Sequence, residues 1–502
     1  MSTEFILAVD QGTSGTKAVV FDAAGKVVAK ATEPLTSYFP HPGFVEQDPV
    51  EIYQNVLAAT KACLEKFQDV TSADLGAIAT CGISNQRETL VLWDESGRPL
   101  GNAIVWQCKR SVEICNRLQR TELEQQVRRR TGLVVDPYFS GTKLLWLCEN
   151  DRQVAEAIRA GRACFGTVDT WLLYNLTGRR RYLTDYTNAS RTLLFNIDEL
   201  DWDAHLLAEY GLTALRLPEA RPSSSDYGVT DFEGLLPRAI PISALIGDSH
   251  AAAFGERCFS PGAAKATLGT GCSILLNTGA KPVPSEAGMV TTICWSTADR
   301  VDYALEGIIV TCGATINWLR DNMGLFVDGR ETGKMALAVK DNAGVYLVPA
   351  FSGLGAPHWK MDLRAAILGL TFGCDKNHVV RAALESIPYQ IKDVVDAMDT
   401  DSGVTLQQLK VDGGLTTNHF VMQFLADLLG TEVVNVGIPD VSALGAACLA
   451  GLQRGIFGDL DRLEQLNVDQ QTYCPGAGMP TAQRDYEGWK RIVQQLTAPP
   501  SR

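Results

Sequence analysis

The chain has 502 residues, 46% hydrophobic and 21% charged, with a formal net charge of −13. That length exceeds what one core serves, so two large domains are expected, and the composition excludes extensive disorder. The acidic balance excludes a basic face for nucleic acid but still allows a phosphate ligand, held by backbone amides, a few cations and a divalent ion.

Phe5–Asp10 reads as a buried strand, Gln11–Thr16 as a Gly/Thr/Ser turn and Lys17–Phe21 as the returning strand. Asp22–Gly25 turns again before Lys26–Ala31. A helix is predicted over Pro49–Phe67, with Asp48 as N-cap, Pro49 first and Glu51 as the reciprocal capping partner. Ile52, Val56, Leu57, Cys63, Leu64 and Phe67 supply its apolar face. After Gly255, Pro261 and Gly262 punctuate the chain, a second hairpin follows: Ala263–Leu268, Gly269–Gly271, Cys272–Asn277. Similar openings in each half predict two topologically related α/β domains, residues 1–254 and 255–502. The thirteen cysteines are scattered without a C-x-x-C pair, which reads as reduced thiols used as small apolar residues. Met1–Asp10 has no basic leader and no apolar run approaches the ~18 residues of a span. A cytoplasmic protein without membrane insertion is expected.

Asp10-Gln-Gly-Thr-Ser-Gly-Thr-Lys17 joins two strands, so it is neither a Walker loop nor a dinucleotide turn. Its glycines allow close backbone approach, its amides and hydroxyls suit phosphate oxygens, and Lys17 adds positive charge. Asp10 ends a buried strand and suits Mg²⁺ held largely through water. Gly269-Thr-Gly271 is a second such turn, and the two facing each other would clamp a triphosphate. Val411-Asp-Gly-Gly-Leu-Thr-Thr-Asn418 leads into a helix whose N-terminus suits a nucleotide. Asp248, in Ile246-Gly-Asp-Ser249, ends an apolar run, and an N-cap role competes with a chemical one.

With these elements the chain resembles the FGGY carbohydrate kinases, and among them the glycerol kinases. The strings that carry the resemblance are Ser84-Asn-Gln-Arg-Glu-Thr89, Ile104-Val-Trp-Gln-Cys108, Asp136-Pro-Tyr-Phe-Ser-Gly-Thr-Lys143, Gly166-Thr-Val-Asp-Thr-Trp171 and Thr184-Asp-Tyr-Thr-Asn-Ala-Ser-Arg-Thr192. Tyr138–Asn150 and Ala365–Glu385 fit the two FGGY signatures. The resemblance implies two ribonuclease-H-like domains of the actin/hexokinase/Hsp70 type with ATP in the cleft between them. It implies Asp10 at Mg²⁺, with Thr13, Ser14, Gly15 and Lys17 lining the phosphates. Thr270, Gly313, Asn317, Gly414 and Asn418 would contact the nucleotide from the second domain. Arg87, Glu88, Trp106, Tyr138, Asp248 and Ser249 would form the polyol pocket, with Asp248 as general base. The implied reaction is ATP-dependent phosphorylation of glycerol to sn-glycerol 3-phosphate, and a longer polyol or sugar (tetritol, pentitol or ketopentose) is the alternative. A homodimer or homotetramer is expected.

The chain departs from the glycerol kinase pattern at several positions. Lys17 and Asn317 stand where Arg and Gln are frequent, and Lys lacks the guanidinium fork. Ser249 stands where Gln is usual after Gly-Asp, and Ser273 where Phe is usual after Gly-Thr-Gly-Cys. Two small polar residues predict a roomier, wetter pocket, filled by water, by His250 or by a longer substrate. Tyr227–Arg238 has two acids, Asp231 and Glu233, and one base, Arg238, the wrong balance for holding a bisphosphate regulator.

Overall fold

The computed structural model describes residues 4–360, 362–438, 440–466 and 470–498. In chain order the elements that position the site are β1 (Phe5–Gln11), β2 (Gly15–Asp22), β3 (Val27–Pro34), α1 (Pro49–Val70), β4 (Ile78–Asn85), α2 (Ser140–Asn150), β5 (Ile240–Gly247), α3 (Asp248–Gly255), β6 (Ala263–Leu268), β7 (Cys272–Gly279), β8 (Val290–Thr297), β9 (Arg300–Ile309), α4 (Gly313–Asp321), α5 (Lys376–Ser402), β10 (Gln408–Asp412), α6 (His419–Leu429), β11 (Glu432–Asn435), α7 (Val441–Gln453) and β12 (Gln471–Tyr473).

The first sheet has the order β5-β4-β1-β2-β3, extended at β5 by the short strand Val229–Thr230. The second has the order β8-β9-β7-β6-β10-β11-β12. Each contains the same unit, an antiparallel three-strand meander followed by two parallel strands: β3-β2-β1-β4-β5 in one and β9-β7-β6-β10-β11 in the other. This is the expected pair of ribonuclease-H-like α/β units. β1, Phe-Ile-Leu-Ala-Val-Asp-Gln, is buried along its whole length, as a central strand covered on both faces must be.

The predicted first helix forms, and Asp48 caps it by accepting from Val50 N at 2.8 Å. Glu51 does not close the capping box. Its Oε1 accepts from Thr36 N at 2.9 Å instead, because the approaching loop offers a donor that competes with the N-cap amide.

One face of the first sheet packs on α1, and the outer face of the second packs on α5 and α6. The inner faces meet α3 and α7, which form one core with Ile6, Ala8, Val19, Ala244 and Ile246 of the first sheet and Leu275, Trp295 and Ala304 of the second. Although α7 lies in sequence between β11 and β12 of the second sheet, it packs against β1, β4 and β5. Glycine makes the helix crossing possible. A Cβ on Gly255 would lie 2.6 Å from Val441 O, and one on Gly445 would overlap Ala251 O. The sequence boundary near residues 254–261 is thus bridged in space by this pair.

Candidate active site at the junction of the two sheets

Strand alternation decides what the second sheet presents to the junction. On β6, Ala264, Ala266 and Leu268 point into the outer core, so Lys265 and Thr267 point inward. By the same period Ser273 on β7, Glu306 on β9 and Lys410 and Asp412 on β10 share the inner face. The first sheet delivers Asp10 at the end of β1, in register with Ser84 on β4 and Lys17 on β2. β5 hands over directly to α3, with Asp248 as the helix's first residue.

Gly247, not Asp248, occupies the N-cap position of α3. Asp248 therefore does not hold the N-cap position that competed with chemistry, although its Oδ1 still accepts from the first-turn amide of Ser249. Its side chain is 39% exposed but recessed among protein atoms. Its Oδ1 accepts from Ser249 N at 2.6 Å and lies 3.4 Å from Arg87 Nε. Burial raises the Asp248 pKa; Arg87 opposes that rise and the Asp10 charge adds to it. Asp10 accepts from Ser84 Oγ at 2.6 Å, and burial raises its pKa as well, against the Ser84 hydrogen bond and Lys17.

Arg87 and Glu88 do not form a pair with each other. Each belongs to a buried chain of alternating charges. Arg87 Nη2 lies 2.8 Å from Glu306 Oε1, Glu306 Oε2 lies 2.7 Å from Arg191 Nη2, and Arg191 Nε donates to Glu88 Oε1 at 2.6 Å. Burial would raise the Glu306 pKa, but Arg191 and Arg87 more than reverse it and hold the carboxylate ionised. Trp106 and Tyr138 sit against each other with ring centroids 5.3 Å apart. Trp106 Nε1 donates to Thr13 Oγ1 at 2.9 Å, so the aromatic wall touches the first phosphate turn. Behind that wall Lys143 on α2 is fully buried and donates to Tyr138 O at 2.7 Å and Trp106 O at 3.3 Å. Burial pulls its ammonium down to about 7, against the Glu88 charge.

The two hydroxyls of Ser249 and Ser273 are 2.9 Å apart and hydrogen-bonded, and both residues stay partly exposed. His250 does not enter the space beside them. It is fully buried behind the charge chain, its Nε2 is 3.3 Å from Thr292 Oγ1, and burial followed by Arg87 keeps it neutral.

On the side expected to meet the nucleotide the turns are built from backbone. A Cβ on Gly15 would lie 2.6 Å from Glu33 O, and one on Gly313 2.7 Å from Gly269 O. Cys312 N donates to Thr270 O at 2.8 Å, tying the Gly269–Gly271 turn to the start of α4. Ser14 and Asn317 are exposed, and no atom stands within 4 Å of where a Cβ on Gly414 would be. Two expected contacts have internal partners. Lys17 pairs with Asp440 at 2.9 Å and reaches only 4.0 Å from Asp10. Asn418 is the N-cap of α6, accepting from Val421 N at 3.3 Å and donating to Thr332 Oγ1 at 3.1 Å.

Sequence reasoning assigned no role to Glu306, Arg191, Lys265 or Lys143. Arg191 and Lys143 lie inside the motif strings, and Lys265 and Glu306 are each a charge set in an apolar run, Ala263–Leu268 and Tyr303–Ile309, the latter's strand opening with Arg300 and Asp302. That last feature is the signal that marks them, because a lone buried charge requires a partner.

The profile of the FGGY family of carbohydrate kinases, N-terminal domain, matches residues 5–255, and that of its C-terminal domain matches residues 264–454. The chain is 47% identical to the glycerol kinase of Symbiobacterium thermophilum over 99% of each chain. It is 47% identical to that of Klebsiella pneumoniae, over 99% of this chain and 98% of the other. The crystal structure of Plasmodium falciparum glycerol kinase with ADP superposes with a TM-score of 0.92, at 36% identity over 99% of each chain.

Proposed function

This chain belongs to the FGGY family of carbohydrate kinases, and on that footing we propose that it transfers the γ-phosphoryl group of ATP to a terminal hydroxyl of glycerol, giving sn-glycerol 3-phosphate. The observation that carries the reading is Asp248, a carboxylate open to the cleft, outside the N-cap position and made more basic by burial. Its carboxylate accepts the proton of the attacking hydroxyl while the new O–P bond forms. The bond from Pγ to the β,γ-bridging oxygen breaks, and ADP leaves with that electron pair. Arg87 and Glu88 offer a donor and an acceptor to the polyol, and Trp106 and Tyr138 pack against its carbons.

On the nucleotide side, Thr13, Ser14, Gly15 and Lys17 would line the phosphates, and Thr270, Gly313, Asn317 and Gly414 would meet the nucleotide from the second sheet. Asn418 contributes through the helix start that it caps. Asp10 fits a hydrated Mg²⁺. No group of three or more ligating side chains exists among the described residues, which suits an ion that binds one or two carboxylates, phosphates and waters. Such an ion would neutralise charge on the transferring group. No helix among the described residues is long and apolar enough to cross a membrane, and thirteen free cysteines support a reducing, cytoplasmic setting. The reading includes self-association as a homodimer or homotetramer.

A longer polyol is the second reading, favoured by the small side chains of Ser249 and Ser273. A coupled ADP-release assay over glycerol, erythritol, xylitol, ribulose and xylulose separates the two. Glycerol is expected to give the highest kcat/KM; turnover on a five-carbon sugar with none on glycerol overturns the first reading. Asp248→Asn is expected to lower kcat by about 10²–10⁴-fold with the ATP KM little changed, and retained turnover would remove Asp248 from its role as base.

A further inference from the structure

A directed hydrogen-bond chain runs along the wall beside Asp248. Lys265 Nζ donates to Ser249 Oγ at 2.5 Å and to Thr267 Oγ1 at 2.9 Å. Ser249 Oγ is 2.9 Å from Ser273 Oγ, and Ser273 Oγ donates to Glu306 Oε1 at 3.0 Å. A hydroxyl rotates to suit its neighbours, so the polarity of such a chain is set by its ends. At one end an ammonium has donors only. At the other, a carboxylate between Arg87 and Arg191 has acceptors only. The Ser249 proton is therefore committed to Ser273, and the Ser273 proton to Glu306.

Each serine oxygen has two lone pairs, and one of them already accepts within the chain. What either serine still offers a ligand is a lone pair, never a proton. The two ends are buried, whereas both serines are partly exposed, as the neighbouring Asp248 is. We infer that Ser249 and Ser273 are specificity-determining residues, an acceptor-only wall that selects a polyol, whose hydroxyls donate, over its keto counterpart, whose carbonyl does not. This rests on the kinase reading above. A carbonyl oxygen against this wall meets only other acceptors and leaves them unpaired, which costs far more than a missing apolar contact.

Glycerol and dihydroxyacetone form the matched test, since they differ only in oxidation at the middle carbon. Steady-state kcat/KM with ATP is measured for both in the unmodified protein, in the double variant Ser249→Ala with Ser273→Ala, and in Lys265→Met. The unmodified protein is expected to prefer glycerol by about 100-fold or more, short of the about 10⁴-fold by which a fully buried site built for a hydroxyl rejects its analogue, because both serines are partly exposed. The double variant is expected to bring that ratio below about 10, mainly through a higher KM for glycerol. Lys265→Met removes only the donor end; Glu306 still takes the Ser273 proton and so keeps the direction of the chain, and the preference for glycerol should fall less than in the double variant. The serine variants are small truncations at partly exposed positions, so the test stands if Lys265→Met fails to fold. A ratio near unity in the unmodified protein, or a ratio unchanged in the double variant, overturns the inference while leaving the kinase reading intact. Turnover on xylulose or ribulose with none on glycerol overturns the glycerol reading, and the inference with it.

Discussion

The two sides of the cleft are built by opposite means. The side proposed for the polyol is held by buried charges from distant parts of the chain: Arg87, Glu88, Arg191 and Glu306 alternate in sign, and all four are nearly or fully inaccessible. The side proposed for the nucleotide is held by local backbone, in turns where Gly15, Gly271, Gly313 and Gly413 have no room for a Cβ and Gly413, at φ 96°, has a conformation that side chains rarely adopt. A small polyol presents only hydroxyls, and these are best read by fixed charges. A triphosphate is a large anion that backbone amides read well, and amides need close approach more than they need side chains. The difference predicts that lesions on the two sides separate in kinetics as well as in stability.

The largest expected effect is at Glu306. Glu306→Ala leaves Arg87 and Arg191 buried without their shared carboxylate, and is expected to cost about 3–5 kcal/mol in unfolding free energy by denaturant titration. Glu306→Gln keeps the shape and should raise the polyol KM about tenfold or more while the ATP KM stays within about twofold. Equal rises in both would show that the two sides are one unit.

Gly413→Ala is the reciprocal lesion. A Cβ there would lie 2.5 Å from Leu268 O, and the conformation is costly for any side chain, so a loss of about 2 kcal/mol is expected. The kinetic defect should appear in the ATP KM, not the polyol KM; the reverse pattern would break the comparison.

The smallest effect is a pH slope at Lys143, which lies behind the aromatic wall. Its pKa in the fold is about 7 against an ordinary value of 10.5. Between those values the unfolded chain binds one more proton than the native state, so this group's contribution to stability rises with pH across that window. Lys143→Met lacks the slope. The unmodified protein should therefore gain stability relative to the variant by up to about 1.4 kcal/mol per pH unit above pH 7, measured by urea denaturation at pH 7.5 and 8.5. A gap independent of pH would mean that Lys143 stays charged against the carbonyls of Tyr138 and Trp106.

Local chemistry was legible without coordinates wherever it is local in space. The meander from Phe5, the Gly/Thr turns, the cap at Asp48 and the emergence of Asp248 from β5 all depend on neighbours within a few residues. Glu51 was misread because its donor, Thr36 N, comes from an earlier loop. Glu306 was missed because its partners lie 219 and 115 positions away in sequence, at Arg87 and Arg191. Ser249 and Ser273 are legible in sequence only by size, as room in a pocket; their hydrogen bond to each other needs both sheets.

The sequence by itself determined the class of fold and the family, and it singled out Asp248 as the carboxylate proposed to react, because period, turn chemistry and motif strings are properties of short segments. Only the tertiary structure decided who pairs with whom. Arg87 faces Glu306 and not Glu88, Lys17 faces Asp440, and Lys265 and Glu306 set the direction of the hydroxyl chain. The physical reason is that a buried charge or hydroxyl takes its state from whatever encloses it, and at this junction both sheets do the enclosing.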